Sequence, residues 1–167
     1  MKQHVLTCLF LCLGASSLLA QNDLFLPLPY AYHQAYARLN ALDYVHFVEE
    51  VPDRRLCIEA QAARFTYEFL GGWLYRETMV RTFDTRRQAR KAYKGVKAFF
   101  ETVGIPPQKD TGHHFIGLDE GQVYDLHLQP GPKAQYELHL SKRHPVFTPM
   151  MEWTSLDAEL VRAWYRR

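Results

Sequence analysis

The chain predicts an α+β domain. It should hold an antiparallel sheet of about six strands, a long amphipathic helix on one face, and helices near both ends, in the order α-βββ-α-βββ-α. Three observations carry this expectation. Ala89, Ala92, Tyr93, Val96, Phe99, Phe100 and Val103 recur at three- and four-residue steps, the period of a helix with one apolar face. Runs rich in β-branched and aromatic residues lie on both sides of that helix, punctuated by Gly and Pro. Those runs neighbour one another in sequence, which favours antiparallel pairing over crossovers.

The elements follow in order. "MKQH" is a mildly basic start, and "VLTCLFLCLGASSLLA" is an apolar run ending in small residues before the polar "QND". That is the layout of a secretory signal peptide over residues 1–20, with the mature chain starting near Gln21. Leu18 stands where a smaller residue is commoner, so the exact bond stays open. The run is shorter than the roughly 20 apolar residues of a spanning helix, which favours cleavage over a retained anchor. Leu11 before Cys12 argues against a lipoprotein. No later stretch is apolar enough to span a membrane. An exported protein, periplasmic or extracellular, is therefore expected.

Residues 21–30 hold two prolines and no period, and read as an extended arm. Residues 31–167 read as a single domain. Ala35, Leu39 and Leu42 suit a first helix. Asp43 to Val51 reads as a strand, and "PDRR" as a turn. Residues 55–70 fit a helical stripe or an alternating strand. The strand is preferred, as Cys57–Phe69 in a hairpin with Trp73–Phe83. A three-residue loop of Leu70 to Gly72 would set Phe69 opposite Trp73 and Tyr67 opposite Tyr75.

The long helix opens at Asp84 or Thr85, and Thr85 with Gln88 has capping-box spacing. Gly104 closes it, and Pro106 and Pro107 keep it closed. A loop "IPPQKDTG", the strand "HHFIGLD", a hairpin and "HPVFTP" follow. A last helix starts at Thr154, again with capping-box spacing to Asp157. This order resembles that of the type III secretion chaperone-like fold. The resemblance is one of topology, carried by no motif, and implies no function.

The composition excludes several classes. The formal net charge is +2 at pH 7, and removing Lys2 with the leader lowers it by one. Nothing so near neutral argues for nucleic acid, and neither a ribonucleoprotein motif nor metal-finger spacing is present. Cys8 and Cys12 lie in the leader, so Cys57 alone remains and no internal disulfide can form. Between Leu56 and Ile58 it reads as a buried small hydrophobe. No cofactor motif appears, and none is expected.

The candidate sites are few. "YDLHL" (residues 124–128) and "YELHL" (residues 136–140) are separated by PGPKA. As a hairpin, the pair sets Asp125, His127, Glu137 and His139 on one face. Only registers that keep the apolar faces together are allowed. Pairing Leu126 with Leu138 puts Asp125 opposite His139 and His127 opposite Glu137, and is the expected register. Pairing Leu126 with Tyr136 sets Asp125 against Glu137. Pairing Leu128 with Leu138 brings His127 to His139 but draws Pro130 into the ladder.

The long helix carries Arg86, Arg87, Arg90, Lys91, Lys94 and Lys97 away from its apolar stripe. They form either an anion-binding face or the solvated outer side that any such helix needs. Arg86 and Arg87 stand at the positive end of the helix dipole, which is mildly unfavourable. His113 and His114 read as loop and strand-start polarity. Glu49, Glu50 and Asp53 read as a solvated strand end. Ser141, Ser155 and Cys57 lack any nucleophile signature. Tyr30, Tyr32, Tyr36, Phe65, Tyr67, Phe69, Trp73 and Tyr75 line either a cleft or the core.

The expectation is an exported binding or accessory domain without catalytic activity. It would meet another envelope or secreted protein by a sheet edge or an aromatic face. Two alternatives stand beside it: a hydrolase with His and carboxylate groups gathered from separate strands, and a His-based metal or small-ligand module.

Overall fold

The computed structural model describes residues 24–119 and 121–145. Its elements are α1 (Tyr32–Asn40), β1 (His46–Val51), β2 (Arg55–Ala60), β3 (Ala63–Leu70), β4 (Trp73–Phe83), α2 (Arg86–Thr102), β5 (Pro107–Asp110), β6 (His114–Asp119), β7 (Gln122–Pro130) and β8 (Tyr136–Arg143). One eight-stranded antiparallel sheet runs β1-β2-β3-β4-β8-β7-β6-β5. The α+β class and the antiparallel sheet hold, but the count of about six strands does not. The described residues form a helix and a four-strand meander, twice over, with β4 and β8 paired where the halves meet. Four plus four strands replace three plus three, and the chaperone-like resemblance goes with the order on which it rested. The leader and the helix expected from Thr154 lie outside the described residues.

The extra strands arise at two places. The stretch from Cys57 to Phe69 is not one strand. It folds back at Gln61 and Ala62, whose φ angles of 53° and 60° are left-handed. Neither residue is Gly or Asn, so the turn carries no local signal. Residues 107–110 form β5 rather than loop, since Pro107 is tolerated as the first residue of an edge strand.

At Gly71 and Gly72, φ values of 58° and 79° make a two-residue turn that pairs Leu70 with Trp73. The expected three-residue loop is thus wrong. A bulge between Glu68 and Phe69 then sets Phe69 against Leu74 and Tyr67 against Glu77.

The core lies on one face of the sheet. Helix α2 buries Ala89, Ala92, Tyr93, Val96, Phe99 and Phe100, the stripe that the sequence predicts, against β4, β7 and β8. Its N-cap is Thr85, whose Oγ1 accepts from the Gln88 backbone N–H at 3.3 Å. Helix α1 buries Ala35 and Leu39 in the same core, which Phe65, Tyr67 and Phe69 also enter from β3. The aromatic residues therefore build the interior rather than a docking face, although Trp73 at the hairpin tip stays exposed.

The arm is part of this core. Leu24, Leu26 and Leu28 are buried, and two side chains from the sheet hold the segment. Tyr67 Oη donates to the Leu24 carbonyl at 2.7 Å, and Lys142 Nζ to the Leu26 carbonyl at 2.6 Å. Glu77 and Lys142 face each other across β4 and β8, with Nζ 3.1 Å from Glu77 Oε2. Glu77 is fully buried and Lys142 nearly so. Burial pushes the Glu77 carboxyl up, while Lys142, the nearby Leu26 N–H and Arg38 pull it the other way. Neither oxygen meets a donor in good hydrogen-bond geometry, so charge attraction carries the contact.

Removing one partner of such a pair strands the other. Lys142→Met is expected to cost about 3–5 kcal/mol in urea unfolding. The double variant Glu77→Leu/Lys142→Met should cost less than Lys142→Met alone. An equal or larger loss in the double variant would show that the pair's charge is not what the core depends on.

Candidate functional site

The hairpin of β7 and β8 does not take the expected register. Leu128 pairs with Leu138, Leu126 with Leu140, and His127 with His139. Asp125 therefore faces Ser141, and Glu137 faces Gln129, rather than either facing a histidine. The objection to this register was Pro130, and the geometry removes it. The Leu128 N–H points toward β6 and donates to the His113 carbonyl at 2.9 Å. Two residues on, Pro130 nitrogen points the same way, away from β8. On the β8 side, the Gly131 N–H donates to the Gln135 carbonyl at 2.9 Å and closes the loop. Pro130 thus occupies a position at which no ladder bond to β8 is lost.

This register lines histidines up across three strands. His114 pairs with His127, which pairs with His139, all on the sheet face opposite the helices. The row continues through Val80, Arg64 and Glu59 to His46 on β1. The His127 and His139 rings stack at 4.7 Å with 13° between planes, and His114 meets His127 edge-on at 5.9 Å. Asp125 Oδ1 lies 3.0 Å from His114 Nε2 and 3.4 Å from His127 Nδ1. Glu137 Oε2 lies 2.9 Å from His139 Nε2 and 3.3 Å from Gln129 Nε2. The sequence puts Asp125, His127, Glu137 and His139 on one face correctly. It misses His114, because its place opposite His127 depends on how β6 meets β7.

The carboxylates feel this company. Burial works to raise the Asp125 carboxyl, but the His127 hydrogen bond and the nearby His114, His127 and Arg143 outweigh it and hold it low. Glu137 is held low chiefly by its hydrogen bond with His139.

Two shallow depressions flank the stacked pair. One, of about 730 Å³, is lined by His46, Glu59, Arg64, Val80, Glu137 and His139 among others. The other, of about 490 Å³, is lined by Lys109, Thr111, His113, His114, Asp125, His127 and Leu128.

The arrangement does not suit a metal. Each imidazole aims a nitrogen at a carboxylate or amide, and the stacked rings do not turn their lone pairs to one point. Among the described residues, no three His, Cys, Asp or Glu side chains are placed to hold an ion. The described hydrogen bonds include none between a histidine side chain and a Ser, Thr or Cys side chain.

The remaining candidates resolve simply. Arg86, Arg87, Arg90, Lys91 and Lys94 are exposed on α2. Lys97 is spent on Asp110 and on Glu101, the latter 3.7 Å away. Cys57 is buried between Glu49 and Thr66, with Thr66 Oγ1 3.5 Å from its sulfur. Glu49 pairs with Arg55, and Glu50 accepts from Tyr32 Oη at 2.8 Å, so the acidic strand end is a solvated network. No helix among the described residues is long and apolar enough to cross a membrane.

Comparison with protein-family models, curated proteins and solved structures yields no significant match to this chain.

Asp125 and Glu137 bind protons more weakly in the folded protein than in the unfolded chain. Their contribution to stability is present above the ordinary carboxylate range near about 4, and is lost as pH falls through their lowered values. Asp125→Asn should remove up to about 1 kcal/mol at neutral pH and flatten the acid limb of a stability–pH profile. For the metal reading, an excess of Zn²⁺ should leave the thermal midpoint unchanged. A rise abolished by His127→Ala would restore that reading.

Proposed function

We propose that this chain is an exported, non-catalytic binding domain that meets a protein partner through the histidine-lined face of its sheet. The observation that supports the reading is the row from His46 to His114, which crosses seven of the eight strands opposite both helices. It is broad, polar and shallow, with depressions on either side of the stacked His127 and His139. A catalytic centre calls instead for groups converging in a water-excluding cleft. A broad, partly solvated face with paired charges suits a moderately polar protein interface.

Export supplies the compartment for such a partner, and rests on the leader-like residues 1–20. The edge strand β1 is a poorer docking site than its exposed Val48 and Val51 suggest. Its register is broken between Phe47 and Glu49, and Glu49 and Glu50 charge it, which are two devices that discourage strand addition.

The test is interface mapping. A partner recovered with the wild type should be lost with His127→Ala/His139→Ala and kept with a variant of the α2 surface. Binding that ignores the histidine face overturns the proposed surface. Hydrolytic turnover that disappears in His127→Ala would overturn the non-catalytic reading.

A further inference from the structure

The outward side of α2 is a separate surface, on the layer opposite the histidine face, and it does not rest on the reading above. Five cations stand there: Arg86, Arg87, Arg90, Lys91 and Lys94 are all exposed. Arg86, Arg90 and Lys94 follow one another at four-residue steps, and Arg87 and Lys91 form the next row. From Arg86 to Lys94 the strip is about 12 Å long. The buried stripe of Ala89, Ala92, Tyr93 and Val96 holds it facing away from the sheet.

What distinguishes this strip from an ordinary solvated face is the lack of compensation. The first turn of α2 contains no acid, and the helix carries only Glu101, in its last turn, where Lys97 reaches it. No ion pair joins any of the five to a described residue, whereas Arg55, Arg64 and Arg76 on the sheet all have carboxylate partners. Nearby Asp84 is occupied by Gln135 Nε2 at 3.2 Å. Five unpaired cations therefore crowd the half of the helix where its dipole is already positive, an arrangement that an external anion would relieve.

We infer that this strip adsorbs to an anionic lipid surface. The shape favours lipid over a single-stranded nucleic acid. The strip is a convex ridge, and neither depression of the sheet adjoins it. Single-stranded nucleic acids are tracked by grooves with aromatic platforms, and the aromatic residues of α2 are buried. A flat lattice of headgroup charges meets a convex ridge without a groove. Among the described residues, the exposed large apolar ones, Val48, Val51, Leu70 and Trp73, lie on the first four strands and not on α2. Adsorption by this surface is thus electrostatic, without insertion, and sensitive to salt.

The experiment is vesicle co-sedimentation of the full chain. It compares phosphatidylglycerol–phosphatidylcholine vesicles with phosphatidylcholine alone, at low and high salt. The apolar N-terminal run is the same in the wild type and the variants, so the difference between them isolates the strip. Each cation near such a surface contributes about fivefold to binding, so Arg87→Gln/Lys91→Gln/Lys94→Gln should lose about a hundredfold of the anionic preference. An equal removal of charge elsewhere, Arg54→Gln/Arg55→Gln/Lys133→Gln, should keep it. The inference is overturned by equal losses in both variants, which mean diffuse net charge, or by no lipid preference in the wild type. It is also overturned if the wild type binds a heparin fragment or DNA at salt where it leaves the vesicles. Circular dichroism and urea unfolding establish that the variants are folded.

Discussion

The buried pair of Glu77 and Lys142 is the contact on which the rest of this architecture depends. It sits where the two four-strand meanders join, and each half supplies one charge. The same lysine holds the Leu26 carbonyl, so the seam between the halves and the docking of the N-terminal arm are one problem with one solution. A charge pair this deep is a poor source of net stability, because desolvating two ions offsets most of their attraction. Its value is directional. Apolar residues at these positions could pack in several ways, whereas Glu77 and Lys142 offset each other's charge in this register, and Lys142 reaches the Leu26 carbonyl with the arm in place.

That register propagates outward. Once Glu77 faces Lys142, Val80 must face His139, and the β7 and β6 pairings then bring His127 and His114 into line. The polar face is therefore a consequence of the core. The two faces of one sheet share a pleat, so a slip of one residue anywhere would send the histidines inward and the leucines out. The buried stripe of α2 likewise turns its cations away from the sheet. One packing decision thus creates two outward surfaces of different chemistry, a histidine–carboxylate face on one side and a cationic ridge on the other.

Much of this was legible in the residues alone. The stripe from Ala89 to Phe100 predicts α2 with its cap and its Gly104 stop, because helix period and capping are local properties. The alternation in YDLHL and YELHL puts both histidines and both carboxylates on one face, because strand alternation is local too. The failures share a cause. The register of this hairpin, the turn at Gln61 and Ala62, and the strand status of residues 107–110 are decided by what lies beside each segment. Pro130 looked disqualifying because it enters the ladder without an N–H, but its nitrogen faces away from β8, toward the β6 side.

The sequence by itself determined that α1 and α2 are helical, which side chains share a face, the buried reading of Cys57 and the amphipathic character of α2. These follow from periods of 3.6 and 2 and from capping chemistry, which act within a few residues. The tertiary structure alone decided the four-plus-four strand count, the central pairing of β4 with β8, the burial of Glu77 with Lys142 and the recruitment of His114 to the histidine row. Those outcomes join residues as far apart in sequence as Leu26 and Lys142. Their energy comes from desolvation and pairing between segments, which no local pattern encodes.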